Sequence, residues 1–166
     1  MTFKGPQSLF VTPLGPTSHW RSVAPYALSL LRVMAGFLLM QYGSAKRFAF
    51  PAAIMPGGGT PPLGSMASIA GILEVVGGAL LVLGLFTRAI AFLLSGEMAV
   101  AYFVAHAPNG FWPVLNDGAL AALNCFVFLY LSAAGAGPWS IDGVRASSAP
   151  STGRRVALDN EQHDGG

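Results

Sequence analysis

Three ionisable side chains interrupt long apolar stretches of this sequence. Arg32, Glu74 and Glu97 each lie in a run of about 20 mostly apolar residues, long enough to cross a lipid bilayer. A charge at membrane depth is costly, so such residues face protein or a polar cavity and often bind protons or polar ligands. Gln41 and Asn124 are polar residues in similar surroundings. We therefore predict an intramembrane polar site of Arg32, Glu74, Glu97, Asn124 and Gln41.

The depth of these residues suggests how they pair. In helices that rise 1.5 Å per residue, they lie roughly 9 to 22 Å from one face of the membrane. Arg32 and Glu97 differ by only about 3 Å in depth, so we expect them to form a salt bridge. Glu74 would then be protonated and would donate a hydrogen bond, as a proton relay or a quinone site requires. Which glutamate holds the proton stays open, and so does a purely structural role in which these residues keep the helices in register.

A second polar cluster is predicted at the opposite, outer side of the membrane. His106 lies at the outer end of the third apolar stretch and Asn109 follows it, while Asn116 and Asp117 precede the fourth. Because the other two histidines lie near the chain ends, we expect His106 to make an interfacial hydrogen bond, and we predict no metal site. The single cysteine, Cys125, is expected to be a packing residue.

The composition indicates which class of protein carries these residues. The chain has 166 residues, of which 53% are hydrophobic and only 10% charged, whereas a soluble domain has about 25% charged residues. No basic run is interleaved with aromatic residues, so nucleic-acid binding is not expected. The composition predicts a small, all-α integral membrane protein whose main partner is the lipid bilayer.

The apolar stretches predict a bundle of four transmembrane helices within residues 26–143. Pro25 is expected to precede the first helix, and the Pro- and Gly-rich loop 46–65 separates it from the second. Whether that loop partly re-enters the membrane is left open. The predicted spans are 26–45, 66–86, 89–107 and 118–135.

Basic residues predict how the bundle is oriented. Residues 1–25 form an N-terminal segment, and residues 144–166 form a tail that we expect to be disordered. With four spans, both termini lie on one side, which carries more Lys and Arg than the opposite side, where Lys46 and Arg47 lie. We therefore expect both termini to be cytoplasmic. The basic residues on the terminal side are Lys4, Arg21, Arg88, Arg145, Arg154 and Arg155.

Glycines surround Glu74 on its predicted helix. Gly71, Gly77, Gly78 and Gly84 form a smooth stripe, against which another helix can pack closely. That helix would be the first span or a helix of a second copy, so a homo-oligomer is one outcome that we consider.

The combination of these motifs resembles the DoxX family. The resemblance covers about residues 26 to 143 and implies a four-helix protein of the bacterial inner membrane. It also implies kinship with subunits of quinol oxidase and thiosulfate:quinone oxidoreductase complexes, and with proteins of thiol and oxidative-stress defence. The matching residues are Leu31, Arg32, Gly36, Gly43, Lys46, the runs 74–78 and 83–88, 101–103, 106–108, Trp112, Pro113, Asn116 and 137–140.

Three hypotheses of function follow. The first is an accessory, non-catalytic subunit of a membrane redox system, whose polar site meets a quinone headgroup while an oxidoreductase or thiol-handling partner holds the redox centre. The second is a small-molecule or proton-coupled carrier in which Glu74 or Glu97 titrates. The third is a membrane anchor for a soluble enzyme, docked by the tail or by loop 46–65.

Overall fold

A computed structural model describes residues 17–55 and 57–148, and its regular elements there are all helices. Three helical segments in this part of the chain are long and apolar enough to span a membrane, namely Trp20–Phe48, Met66–Leu83 and Thr87–Asn109. The fourth apolar helix, Ala119–Ala134, is shorter than these. The predicted all-α membrane fold is confirmed, whereas the number of four spans and the orientation of the termini stay predictions. The helices are α1 (Thr17–Phe48), α2 (Met66–Leu83), α3 (Thr87–Ala101), α4 (Ala119–Ala134) and α5 (Ile141–Ser148); a π turn (Tyr102–His106) and a 3-10 turn (Ala107–Asn109) extend α3.

Helix α1 begins earlier than predicted. The expectation that the first helix starts after Pro25 is wrong, because α1 includes Pro25. Proline removes the hydrogen bond to the carbonyl four residues earlier, which belongs to Arg21. This turn is exposed, so water can satisfy that carbonyl.

Two other ends also differ from the prediction. Helix α2 stops at Leu83 because Gly84 adopts a left-handed conformation with φ 67°, and its amide bonds back to the last turn. Helix α5 covers Ile141–Ser148, so the part of the predicted tail up to Ser148 is helical. Residues 1–16 of the predicted N-terminal segment 1–25, and residues 149–166 of the predicted tail, lie outside the described residues.

Glycines bring α1 and α2 into close antiparallel contact. A methyl group added to Gly36 would lie 2.8 Å from the carbonyl oxygen of Gly78, and one added to Gly43 would lie 2.7 Å from that of Gly71. No side chain fits between the helices at these two levels. Gly71 and Gly78 of the predicted stripe therefore pack against the first span of the same chain.

Helices α3 and α4 form the second half of the bundle. The hydroxyl of Ser95 donates to the carbonyl of Cys125 over 2.8 Å, joining the two helices near their middle. Gly77 of α2 receives Leu94 of α3, whose Cδ2 would lie 2.9 Å from an added methyl group. The buried apolar core comprises Leu39, Leu81, Ala91, Leu94, Met98, Phe128 and Leu131.

Candidate functional site

Arg32 is fully buried and binds backbone carbonyls. Its Nε donates to the carbonyl of Ala136 over 2.9 Å, and its other nitrogens donate to the carbonyls of Leu81, Val82 and Trp139. Two of these acceptors belong to the last turn of α2, where helix carbonyls lack helical partners and carry partial negative charge. The other two follow α4. Arg32 therefore joins α1 to two other parts of the chain.

The predicted salt bridge between Arg32 and Glu97 is wrong. The hydrogen bonds of Arg32 hold its guanidinium level with the C-terminal end of α2, whereas Glu97 lies about 15 Å along α3 from the α2–α3 connection. About 22 Å of α1 precede Arg32, so the start of α1 does not lie level with that connection. We call the level of the guanidinium the Arg32 end of the bundle. Arg32 is thus a structural connector at that end, outside the central polar layer.

Lys46 is the cation that pairs with Glu74. Its Nζ lies 2.5 Å from Glu74 Oε1, and the Glu74 side chain is only 2% exposed while that of Lys46 is 24% exposed. Close packing at Gly43 places Lys46, almost one turn later, beside Gly71. A methyl group added to Gly71 would lie 3.3 Å from Lys46 Cβ. The long lysine chain then reaches about one turn along α2 to the carboxylate. The sequence placed Lys46 only at a membrane boundary, and its pairing with Glu74 was not predicted. The signal was the three-residue spacing that puts Lys46 on the same helix face as Gly43.

Glu97 lies at the same level as Glu74. Helices α2 and α3 are antiparallel and touch where Gly77 receives Leu94. One turn from that contact, in the same direction along the bundle, α2 presents Glu74 and α3 presents Glu97. Counting from the short connection between the helices, the two residues are about 14 and 15 Å deep. Lys46 reaches the same level through its 2.5 Å ion pair with Glu74, and we call Lys46, Glu74 and Glu97 the central cluster.

Three oxygens of the central cluster have no hydrogen-bond donor within residues 17–55 and 57–148. Glu74 Oε2 and both carboxylate oxygens of Glu97 are buried and have no hydrogen-bond partner among the described residues. A buried carboxylate without a donor is costly, and one lysine faces two carboxylates. Uptake of a proton, or a hydrogen bond from a donor group of a ligand, would offset this cost. Chemically, it can hold a proton or bind a ligand that carries hydroxyl or amine groups.

The remaining members of the predicted central site do not join this cluster. Gln41 is exposed on α1, and Asn124 is half-buried on α4. Asn124 lies about 15 Å from the C-terminal end of α4, a depth like that of Glu97. Within the described ranges, no hydrogen bond links either side chain to the carboxylates. Of the five predicted residues, the structure brings together Glu74 and Glu97 only.

Two members of the predicted outer cluster stabilise the connection between α3 and α4. Asn116 is 4% exposed, and its Nδ2 donates to the carbonyl of Gly110 over 2.7 Å while its Oδ1 accepts the amide of Gly118 over 2.8 Å. His106 Nδ1 lies 3.0 Å from the carbonyl oxygen of Asn116. These bonds satisfy non-helical backbone next to a short apolar helix, as membrane burial demands.

The other two predicted outer residues are exposed. Asn109 Nδ2 donates to the carbonyl of Ala105, one turn earlier, over 3.0 Å, and Asp117 is exposed with φ 57°. The structure therefore brings His106 and Asn116 together and leaves Asn109 and Asp117 at the surface. The arrangement favours a structural role for this side of the bundle.

Asp142 caps α3 from a distance and was missed by sequence analysis. Its two carboxylate oxygens accept the amides of Phe86 over 3.0 Å and Thr87 over 2.8 Å. Burial alone would raise the pKa of Asp142, but these backbone hydrogen bonds and the charge of Arg145 together hold the pKa below its ordinary value. A cleft of about 490 Å³ lies beside this cap, at the Arg32 end. The 55-residue separation leaves no local sequence pattern that could predict the contact.

Comparison with known proteins identifies the family. Residues 27–107 match the family model of DoxX. An uncharacterised protein of Haemophilus influenzae is 44% identical over 121 residues, which cover 71% of this chain and 90% of the relative. An uncharacterised membrane protein of Mycobacterium tuberculosis is 26% identical over 145 residues, 79% of this chain and 88% of the relative. No solved structure matches significantly. The chain therefore belongs to the DoxX family of multi-pass membrane proteins.

Proposed function

We propose that this protein is an accessory subunit of a quinone-linked or thiol-linked redox system in the bacterial inner membrane, and that its central cluster meets a quinone headgroup. One observation carries the proposal: three buried carboxylate oxygens, on Glu74 and Glu97 near the middle of the bundle, receive no hydrogen bond from the part of the chain that the structure describes. A quinone headgroup combines lipid solubility with oxygen atoms that form hydrogen bonds. The redox centre itself would belong to a partner protein.

The residues of the cluster fit the two redox forms of such a headgroup. The hydroxyl groups of a quinol can donate to the free oxygens of Glu74 and Glu97, and the ammonium of Lys46 can donate to a carbonyl of the oxidised form. A bound quinone would supply two-electron redox chemistry, while this chain would orient the headgroup and hold or release protons at the carboxylates.

Equilibrium binding tests the ligand. Purified full-length protein in nanodiscs would be dialysed against a radiolabelled short-chain ubiquinone in its oxidised and reduced forms. We expect saturable binding that Glu97→Gln weakens at least tenfold, because the variant removes one charged acceptor, whereas Asn109→Ala at the exposed outer surface leaves it unchanged. Absence of saturable binding, or equal affinity in Glu97→Gln and wild type, would contradict the proposed site.

Co-purification tests the accessory role. The tagged protein would be isolated from native membranes in mild detergent and its companions identified by mass spectrometry. Stoichiometric recovery of an oxidoreductase or thiol-handling protein is the expected result. Recovery of this chain alone, as a stable monomer or homo-oligomer, would refute the role of accessory subunit.

A proton-coupled carrier is the second candidate. It is favoured by the charge imbalance of the central cluster, in which one lysine faces two carboxylates and uptake of a proton changes the net charge. This candidate requires pH-dependent flux in liposomes that Glu74→Gln and Glu97→Gln abolish. Flux that is independent of pH in the wild type, or unchanged in both variants, would exclude it.

A further inference from the structure

We propose that the connection between α3 and α4, residues 110–118, is a lipid anchor at the end of the bundle opposite the Arg32 end. It inserts four apolar side chains among the acyl chains of that leaflet, close to the headgroups. This surface is separate from the central cluster, and its role as an anchor does not depend on the proposed function. The four residues are Phe111, Trp112, Val114 and Leu115.

Helix α4 is too short to cross the hydrocarbon layer of a membrane. Its 16 residues span about 24 Å, whereas the layer is about 30 Å thick. At the Arg32 end α3 and α4 lie level, because Arg88 Nη1 donates to the carbonyl of Ser132 over 3.1 Å. The exposed side chains of Arg88 and Arg145 place the membrane surface near this level. A layer of about 30 Å measured from there extends about 6 Å past the start of α4, into the connection.

The connection lies beside the bundle and not above it. The extended α3 runs to Asn109, whereas α4 begins level with the π turn. A methyl group added to Gly118 would lie 2.7 Å from Tyr102 Cε2 and 2.8 Å from His106 Cβ. Between Asn109 and Gly118 the chain therefore returns along about 10 Å of the α3 extension. Asp117 is exposed at the inner end of this path, so the path lies at the border between acyl chains and headgroups.

The connection pairs much of its own backbone, as a non-helical segment in contact with lipid must. The amides of Leu115 and Asn116 both donate to the carbonyl of Trp112, over 2.9 and 3.1 Å. The side chain of Asn116 donates to the carbonyl of Gly110 over 2.7 Å. Residues 110–116 contain no ionisable side chain. These features lower the cost of bringing the segment into contact with acyl chains.

The four apolar side chains point away from the protein. Between 64% and 81% of each residue is exposed. The rings of Phe111 and Trp112 pack edge to face with their centroids 5.2 Å apart, so they form one wedge. Exposed apolar residues on the flanking helices, such as Phe103 and Leu123, continue this surface along the bundle. Acyl chains that cover those helices therefore also cover the wedge, and burial of its apolar area holds the connection in the leaflet.

Fluorescence quenching tests the anchor. The double variant Trp20→Phe/Trp139→Phe keeps Trp112 as the only tryptophan of the chain. The full-length protein would be reconstituted in vesicles of lipids brominated on the acyl chain. We expect these lipids to reduce the emission of Trp112 by about half or more, and iodide in the water to quench it at least about fivefold less than free tryptophan.

Two other results would overturn the anchor. Iodide quenching equal to that of free tryptophan would place the connection in water. Protection of Trp112 from both quenchers would show that protein covers the connection, either a second copy of this chain or another partner.

A spin label gives an independent readout that leaves all three tryptophans in place. In a Cys125→Ala background, Val114→Cys and Asn109→Cys each provide one labelling site, and collisions with oxygen and with a water-soluble nickel complex report depth. We expect the label at position 114 to collide mainly with oxygen and the label at position 109, at the outer end of the α3 extension, to collide mainly with nickel. Equal access of nickel to both positions would refute the insertion of the connection.

Discussion

Replacing Lys46 by methionine should destabilise the protein strongly. The substitution keeps most of the side-chain volume but leaves the carboxylate of Glu74, which is 2% exposed, without its cation. Removing one partner of a buried ion pair costs about 3 to 5 kcal/mol in the free energy of unfolding. A domain of this size loses about 2 to 4 °C of Tm per kcal/mol, so Tm should fall by at least about 6 °C.

The reciprocal substitution should cost less. In Glu74→Gln the ammonium of Lys46, whose side chain is 24% exposed, can turn toward the bilayer surface on its flexible stem. The double variant Lys46→Met/Glu74→Gln removes both charges and should recover most of the stability lost by Lys46→Met alone. The two substitutions are therefore predicted to be strongly non-additive.

Thermal unfolding in one detergent provides the measurement for the wild type, Lys46→Met, Glu74→Gln and the double variant. Arg47→Met is the matched control, because it removes the neighbouring cation, for which the structure describes no ion pair. We expect a large decrease in Tm only in Lys46→Met. A Lys46→Met protein within about 1 kcal/mol of the wild type would refute a buried, stabilising pair, since surface pairs contribute no more than that.

Three further predictions concern the frame around the cluster. Arg32→Gln should lower unfolding free energy by at least about 3 kcal/mol, because buried carbonyls lose charged donors, and Arg32→Lys should recover part of it; chemical unfolding in detergent measures both. Gly78→Ala should destabilise the protein by about 1 to 3 kcal/mol, since its methyl group would lie 2.6 Å from a backbone carbonyl oxygen of α1. Gly96→Ala, in open space, should stabilise its helix by up to about 1 kcal/mol. Equal Tm values for the two variants would contradict this reasoning. Asp142→Asn should lower Tm at neutral pH. The folded pKa of Asp142 lies below its ordinary 3.8, so the stabilisation by Asp142 is complete above pH 3.8 and is lost as the pH falls further. A Tm difference between wild type and variant that stays constant down to the lowest pH would contradict the cap.

Composition and apolar runs were sufficient to predict the fold class. Apolar stretches with few charges dictate helices, because every backbone group in lipid must be bonded within its own segment. The same reasoning identified Glu74 and Glu97, since a carboxylate at membrane depth needs a protein environment. Periodicity also predicted that the glycines of α2 would face another helix, and the structure shows Gly71 and Gly78 against α1 and Gly77 against α3.

The pairing of charges could not be predicted in the same way. Depth along a helix depends on where the helix begins, and α1 includes Pro25 because the turn before it is exposed. The start of α1 was therefore the wrong reference for depth, and Arg32 lies level with the α2–α3 connection, outside the central layer. Lys46 was placed by its backbone position, whereas its long side chain reaches about one turn along α2. Asp142 acts across 55 residues, a distance at which sequence patterns carry no information.

Photolabelling tests the central claim most directly, namely that the Lys46, Glu74 and Glu97 cluster is a ligand site and not merely a structural lock. A photoreactive short-chain quinol would be cross-linked to the full-length protein in nanodiscs, and the labelled peptide located by mass spectrometry. The account predicts label within residues 66–101, displaced by excess unlabelled quinol and lost in Glu97→Gln. Label elsewhere, or label that excess quinol does not displace, would contradict it.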